Sequence, residues 1–307
     1  MAVLGNPISR DHFVDLLIRG IDKIYFDNWP IEFGEYRSLY NFQPADKAVM
    51  NHVMMAGFGL WQPKAEGVAP AFDSMQEAYK VQLTVTTTQL GYIVTEEAID
   101  DNLYEKPTAM SRDLSMSGAY TMEVDAMAPL NNMTTTTVYT LDGTNYPLIS
   151  TAHGRVDGGT WANRPTSPMD LSLESVEFAV SHWIDNMVDH RGRKRTAVSP
   201  VTLWHGTSDW SIAKRICSRG GRPFSNNNEP NVLMTEYDLQ PKRLTHLTND
   251  GRWGLAAEPK YTGLYYHIRK QREIRHHTEE ITGNLVVIGS YREAHGAVHP
   301  HFIWASP

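Results

Sequence analysis

Apolar positions recur at helical spacing in three stretches. Over residues 9–27, Phe13, Leu17, Ile21 and Ile24 follow at steps of four, four and three, which sets them on one helix face. Ser9 stands at an N-cap position and Asp11 suits the first turn. Asp27-Asn28-Trp29-Pro30 ends the helix, because proline disfavours helix in the residue before it. Residues 107–128 form a longer stretch with Met116, Tyr120, Val124 and Met127 along one side and Met110 and Leu114 near it. Pro107 fits its first turn, Pro129 ends or kinks it, and ~1.5 Å per residue makes it about 33 Å long. The third helix is expected over 171–189, capped by Ser172, with Val176, Phe178, Val180, Trp183, Ile184 and Met187 as its apolar face and Gly192 after it.

Alternation marks the strands. Tyr79 to Thr86 alternates apolar and polar residues at all eight positions, predicting one long strand over 79–94 with Gly91 as a bulge. Thr137-Val138-Tyr139, 198–204, 261–268 and 284–290 also read as extended, and 208–218 as a short helix. Before the long strand the chain is aromatic (Phe33, Tyr36, Tyr40, Phe42, Phe58, Trp61) and then rich in breakers (Gly57, Gly59, Pro63, Gly67, Pro70). That pattern predicts a long loop between two extended arms, a length that is uncommon unless functional or ordered by a partner. The order of elements is mixed α+β, with neither a βαβ rhythm nor an internal repeat.

Charge adds a division. The 307 residues carry 28 Lys+Arg and 35 Asp+Glu, a net of −7. Residues 1–150 hold 9 basic and 19 acidic side chains (−10), and residues 151–307 hold 19 and 16 (+3). The acidic total argues against nucleic-acid binding through bulk positive charge, and the split hints at self-association. No apolar run approaches the ~18–20 residues of a membrane span, and no signal-like start precedes the chain, which points to synthesis in the cytoplasm.

Catalytic signatures are missing from the sequence: it contains no phosphate-binding Gly-Lys-Ser/Thr loop, no Gly-x-Ser-x-Gly elbow and no His-Glu-x-x-His. Cys217 is the single cysteine, which excludes an internal disulfide and reads as packing. His295, His299 and His301 have the residue type for a metal, but Gly296 and Pro300 deny them helical spacing, so surface or interface histidines are expected there. The basic runs Arg191-Gly192-Arg193-Lys194-Arg195 and Arg269-Lys270-Gln271-Arg272 suit phosphate, solvent or acids on a neighbouring subunit. Glu96 and Asp100, four apart and like-charged, are expected to be held by external cations such as arginine rather than to act as an acid/base dyad.

Several phrases, in order, resemble tailed-phage major capsid proteins of the Hong Kong 97 fold, the head subunits of Mu-like phages most of all. They are Glu66-Gly67-x-x-Pro70-x-x-Asp73, Gly91-Tyr92-x-x-Thr95-Glu96-Glu97-x-Ile99-Asp100-Asp101, Asp142-Gly143, Leu148-Ile149-Ser150-Thr151-x-His153, Asn163 and Asp170-Leu171-Ser172. Gly154 stands where that family has proline, and Leu203-Trp204-His205-Gly206-Thr207 replaces its proline-rich phrase.

The resemblance implies an N-terminal arm (1–49), an extended two-stranded loop (50–94), a peripheral domain with a spine helix near 107–128 (95–145 and 270–307) and an axial domain (146–269). It implies a virion shell of pentamers and hexamers around double-stranded DNA, assembled in the host cytoplasm with portal and scaffolding proteins and, in some cases, a decoration or cement protein. DNA would be enclosed without sequence-specific binding. No catalytic residue, metal, cofactor or membrane is implied. Lys64, Glu66, Asp73, Glu96, Asp100, Arg191, Arg193 and Arg195 are the candidate contacts between subunits. Some relatives ligate their shells through a Lys–Asn isopeptide bond, for which Lys64 is the only suitable loop lysine, but the fold does not require it. The alternatives are an encapsulin-type compartment of the same fold and, further off, a metal-dependent enzyme using the C-terminal histidines.

Overall fold

The structure is a computed structural model and describes residues 10–29, 34–101, 105–218, 221 and 230–307, with backbone alone for residues 10–16 and Asp100. Ser9 therefore lies outside the described residues, and so do the side chains of Asp11 and Phe13.

The chain begins with α1 (Arg10–Asp27), a 3-10 turn (Glu35–Ser38), β1 (Asn41–Pro44) and β2 (Val49–Ala56). β3 (Gln76–Thr84), β4 (Thr86–Val94), α2 (Glu96–Asp100) and α3 (Glu105–Asn131) follow. Next come β5 (Thr137–Leu141), β6 (Thr144–Pro147), β7 (His153–Gly154), β8 (Thr160–Trp161) and α4 (Leu173–Asn186). The remainder holds β9 (Thr202–His205), α5 (Trp210–Ile216), α6 (Val232–Glu236), β10 (Gln240–Arg243), β11 (Trp253–Ala256), β12 (Leu264–Thr278), β13 (Leu285–Ala297) and β14 (Ile303–Ser306). The mixed α+β class is as expected.

Two compact units divide the chain. The first comprises Met1–Gly34, Val85–Asp125 and Ile268–Glu293; the second comprises Glu35–Thr84, Ala126–His267 and Ala294–Pro307.

In the first unit, Leu17 and Ile21 of α1 pack with Val94, Leu285 and Val287, joined by Ile99 and Ile274. Two serines of α3 tie α1 in place: Ser111 donates to the Ile21 carbonyl at 3.0 Å and Ser115 to the Tyr25 carbonyl at 2.8 Å. β4 pairs antiparallel with β13, from Val94 opposite Leu285 to Thr86 opposite Glu293. This corrects two expectations. The single strand over 79–94 breaks at Val85, and β3 and β4 have different partners. Gly91 is no bulge, since it sits in register opposite Ile288. A Cβ there would run into the Val287 carbonyl, so glycine permits a close backbone approach rather than an extra residue.

α3 runs through Pro129 to Asn131. Proline so near the helix end forfeits one N–H bond, and the buried Met127, Leu130 and Met133 hold the last turn regardless. β12 and β13 extend to Thr278 and Ala297, well past the expected 268 and 290. The extra residues of β12, such as Arg269-Lys270-Gln271-Arg272, are polar on both faces, so alternation could not reveal them; backbone pairing carries the strand.

In the second unit, four strands form the sheet β10-β9-β11-β14. β9 and β11 run antiparallel, as do β11 and β14, whereas β10 and β9 run parallel. All residues of β9, β11 and β14 are buried. One core joins Val176, Ala179, Val180 and Trp183 of α4 with Ala213 and Ile216 of α5 and with Leu203, Trp253, Leu255 and Trp304 of the sheet. Ser172 caps α4 as expected, in a reciprocal box with Ser175. Gln76–Thr84 pairs with Val49–Ala56 as a separate hairpin, β2–β3, whose connecting loop is residues 57–75. A second hairpin, β5–β6, turns on Asp142 (φ 49°) and Gly143 (φ 77°). Two successive positive φ angles define the tight turn that Asp-Gly favours.

Candidate interaction surfaces

No catalytic centre is assembled from the residues the sequence singled out. Cys217 packs beside the α4–α5 core, and burial pushes its thiol up to about 12, so it is no thiolate at neutral pH. Among the described residues, no three His, Cys, Asp or Glu side chains are grouped to hold a metal ion. The expectation of surface histidines near the C-terminus is corrected. His301 is buried, its Nε2 donates to the Val188 carbonyl at 3.1 Å, and its ring stacks on Trp161 at 4.6 Å. His295 stacks on Tyr266, and His299 lies against Tyr265. Their flanking apolar residues belong to a core, which residue spacing alone could not say.

Among the described residues, three of the four most exposed large apolar side chains lie on one loop, the fourth being Ile281 between β12 and β13. Between β2 and β3, Leu60, Trp61 and Phe72 are 75%, 98% and 92% exposed, with Phe58 and Val68 also open to solvent. The loop curls round an open hollow of about 450 Å³ lined by its own residues from Phe58 to Asp73. Asp73 closes it. Its carboxylate accepts from the Gly59 N–H at 2.7 Å and the Ser74 N–H at 2.8 Å. These two backbone donors, and then Arg191, hold its carboxyl below the usual aspartate range. Lys64 and Glu66 are exposed on the loop beside a turn in which Val68 donates to the Ala65 carbonyl at 3.3 Å.

The basic run after α4 meets this loop. Arg191 reaches Asp73 Oδ1 at 3.4 Å and the Ser74 carbonyl at 3.2 Å. The turn itself is built on Asp189, whose carboxylate accepts the Arg191 and Arg193 N–H groups at 2.9 Å each and the Arg193 Nε at 2.7 Å. Lys194 pairs with Asp185 at 2.7 Å. The Arg195 guanidinium lies over the Phe302 ring, 5.6 Å from its centroid. Thus Asp73, Arg191, Arg193 and Arg195, proposed from sequence as contacts with other subunits, make bonds within the chain, and Asp73 and Arg191 make one with each other.

Glu96 opens α2, a five-residue helix capped by Thr95. Its backbone N–H donates to Asn284 Oδ1 at 3.2 Å, and its side chain lies against Gly283. The Asp100 side chain lies outside the described residues. The second basic run is exposed along β12 except at Arg272, which sits over Trp29 at 4.7 Å and Phe26 at 5.9 Å.

The phrase Leu148-Ile149-Ser150-Thr151-x-His153, followed by Asn163, is a buried clasp. The Asn163 carboxamide oxygen accepts from the Ser150 N–H at 2.9 Å and His153 Nε2 at 3.0 Å. Its amide donates toward the carbonyls of Leu148, Pro300 and Ile303 at 2.9, 3.1 and 3.2 Å. With Nε2 donating, His153 Nδ1 is left to accept from the Tyr139 hydroxyl at 3.1 Å. One asparagine therefore joins three separate chain segments. Sequence order marked these residues, while only the structure shows that their role is to hold backbone together.

A family model described as phage capsid protein matches residues 78–298. No curated protein matches the sequence. The fold is similar to that of the capsid of cyanophage P-SCSP1u (TM-score 0.57, 9% identity, 88% of this chain and 86% of the other). It is also similar to a structure of Mycobacterium phage Patience (0.55, 10%, 97% and 89%) and to a virus-like particle from Pyrococcus furiosus (0.52, 8%, 95% and 98%). At these identities the shared property is the fold.

Proposed function

Because the chain belongs to the phage capsid protein family and is a major capsid protein forming an icosahedral shell of the virion, we propose that pentamers and hexamers of this chain build that shell around double-stranded DNA. Assembly takes place in the host cytoplasm with portal and scaffolding proteins, and the shell protein performs no catalysis. In this reading residues 1–49 are the N-terminal arm, 50–94 the extended loop, 95–145 with 270–307 the peripheral domain and 146–269 the axial domain.

The observation that carries the reading is the loop between β2 and β3. A tryptophan 98% exposed and a phenylalanine 92% exposed, on one loop of one chain, are unfavourable in water. Laid across a neighbouring subunit, each ring removes about 150–250 Å² from solvent. Lys64 and Glu66 flank these rings and meet the neighbour's rim; Glu96 and Asp100 take up a neighbour's arginine. Contacts of this head-to-tail kind generate closed rings, five- and six-fold in a shell. The net charge of −7 suits a container that does not grip the duplex it encloses.

Electron microscopy of the purified chain is the test. Shells or rings are expected, and deletion of residues 62–76 is expected to abolish them while leaving a folded subunit. A compact monomer at all concentrations would sink the reading. Nuclease-protected DNA inside particles supports a virion; protein cargo in its place supports a compartment of the same fold.

A further inference from the structure

Six histidines from distant parts of the sequence share one run of rings in the second compact unit. His52 Nε2 lies 2.9 Å from His267 Nε2. From His267 the run passes to Tyr265 (5.8 Å between centroids), His299 (6.3 Å) and His301 (5.8 Å). There it enters a closed circuit: His301, Trp161 (4.6 Å), His153 (4.6 Å), Tyr139 (6.0 Å), Tyr79 (4.1 Å), His190 (5.5 Å) and back to His301 (5.5 Å).

Each strand of the β2–β3 hairpin enters this run through one ring, His52 from β2 and Tyr79 from β3. Beside the rings, a small apolar cluster seats the hairpin, to which Met54, Ala78 and Leu83 add partly buried side chains. In its two strands only Ala56, Tyr79 and Val81 are buried, and Tyr79 and Val81 belong to this cluster with Tyr139, Leu141 and Val298. The ring nitrogens are poorly provided for. Both nitrogens of His190, and Nδ1 of His267, His299 and His301, are shut from solvent and make no hydrogen bond within the chain. A neutral imidazole tolerates this; an imidazolium, with two N–H donors and a charge, does not.

The facing groups add to that cost. Arg195 acts on His190, His299 and His301, and His52 acts on both His267 and His299. Around His190 stand Arg155, Asp157 and Asp189 as well. Those two carboxylates are already engaged, Asp157 by Arg155 and Asp189 by Arg193. His153 alone has both nitrogens bonded, to Tyr139 and Asn163, and the Pro44 backbone faces His267.

We propose that this histidine-aromatic seat is an acid-released latch: protons taken up by His52, His190, His267, His299 and His301 free the β2–β3 hairpin while the β9–β11–β14 sheet stays folded. The direction of titration agrees. Burial holds His299 down to about 4 and lowers His52, His190, His267 and His301 below the ordinary imidazole value. Neutral rings favour the seated state, so it is held above about pH 6.5 and lost as pH falls toward 4. The latch belongs to the single subunit and does not depend on the shell reading.

Hydrogen exchange on the full-length, unassembled chain between pH 7.5 and 4.5, corrected for intrinsic rates, tests it. Peptides over 49–56 and 76–84 are expected to lose roughly 100-fold protection, at up to ~tenfold per pH unit for each proton taken up. Peptides over 202–205, 253–256 and 303–306 should change far less. Equal loss in both sets, or none in the hairpin, overturns the proposal. His190→Gln removes one titrating ring and no hydrogen bond within the chain, so release moves to lower pH with a shallower slope. Arg195→Gln removes a facing cation that adds to the cost of charging the seated rings, so release moves to lower pH here as well. Midpoints unmoved in both variants also overturn it. If either variant is unfolded at pH 7.5, the wild-type slope decides: one proton or fewer per opening overturns the latch.

Discussion

The sheet β10-β9-β11-β14 and the loop of the β2–β3 hairpin use the same residue type to opposite ends. Trp204, Trp253 and Trp304 are 0% exposed, whereas Trp61 is 98% exposed. Around Trp304 the chain supplies everything: the Trp253 ring at 5.2 Å and His182 Nδ1 for its indole N–H at 3.1 Å. Around Trp61 the chain supplies one side of a hollow and no lid. The sheet is completed by its own sequence, and the loop leaves its rings open to solvent, the side that the proposed shell covers with a neighbouring subunit. Burial, not residue type, decides whether a tryptophan contributes to the fold or waits for a partner.

Truncation breaks the comparison most directly. Trp304→Ala is expected to cost about 3–5 kcal/mol, as for large buried aromatics generally, read as a fall in the urea midpoint of the subunit. Acidification comes next. His153 is buried in the Asn163 clasp, and burial holds it down to about 4. Its unfolded value is near 6.5, so its stabilising effect is complete above that pH and is lost as pH falls through 4. The difference amounts to roughly 3 kcal/mol. Urea midpoints of wild type and His153→Gln, measured at pH 7.5 and 5, should converge on acidification. Parallel lines would show that His153 does not carry the effect. Ser172→Ala removes one half of the α4 capping box and is expected to cost ~1 kcal/mol at pH 7.5, by the same measurement.

These regions also differed in how legible they were. α1 was readable because it buries one stripe at a period near 3.6, as Leu17 and Ile21 show. α3 was placed correctly but on the wrong face: the expected Met110, Met116, Tyr120 and Val124 are exposed, and the buried side is Ser111, Leu114, Ser115, Ala119 and Met127. In α4, Phe178 and Ile184 of the expected face are exposed as well. β3 was readable for the matching reason: Tyr79 and Val81 are buried while Lys80 and Gln82 are exposed. The break at Val85 was not, since alternation continues across it and only the change of partner, from β2 to β13, reveals it. β9, β11 and β14 are buried on both faces, which removes alternation altogether, and of the three only β9 lay in a predicted strand. Of the candidate contacts, the exposed loop that carries Lys64 and Glu66 could be read from its glycines and prolines. The pairing of Asp73 with Arg191 could not, because 118 residues separate the two and no spacing rule reaches that far.

At the loop the expected effects on the subunit are small and those on assembly large, which sharpens the contrast. Trp61→Ser should leave subunit stability within about 0.5 kcal/mol of wild type, as for exposed positions in general. The same change should lower the yield of shells seen by electron microscopy. A stability loss as large as that of Trp304→Ala would mean that the ring is buried within the subunit after all.

The smallest effect is expected at Asp73, and it separates two ways in which the loop keeps its shape. Either the carboxylate fastens it, through the Gly59 and Ser74 N–H groups and Arg191, or its own apolar residues hold it round the hollow. Asp73 is exposed, so the pair with Arg191 is screened by water and contributes little to global stability. Its influence should be local. Lys64 is the only lysine or arginine between Gly57 and Met75, which makes trypsin a reporter of loop opening alone. Asp73→Ala is expected to speed cleavage at Lys64 with no change in the urea midpoint, and Arg191→Ala to do so to a lesser degree, because it leaves both backbone bonds in place. If Asp73→Ala is cut no faster than wild type, the apolar residues hold the loop by themselves. The rings at Trp61 and Phe72 would then be poised for a partner without help from the charges beneath them.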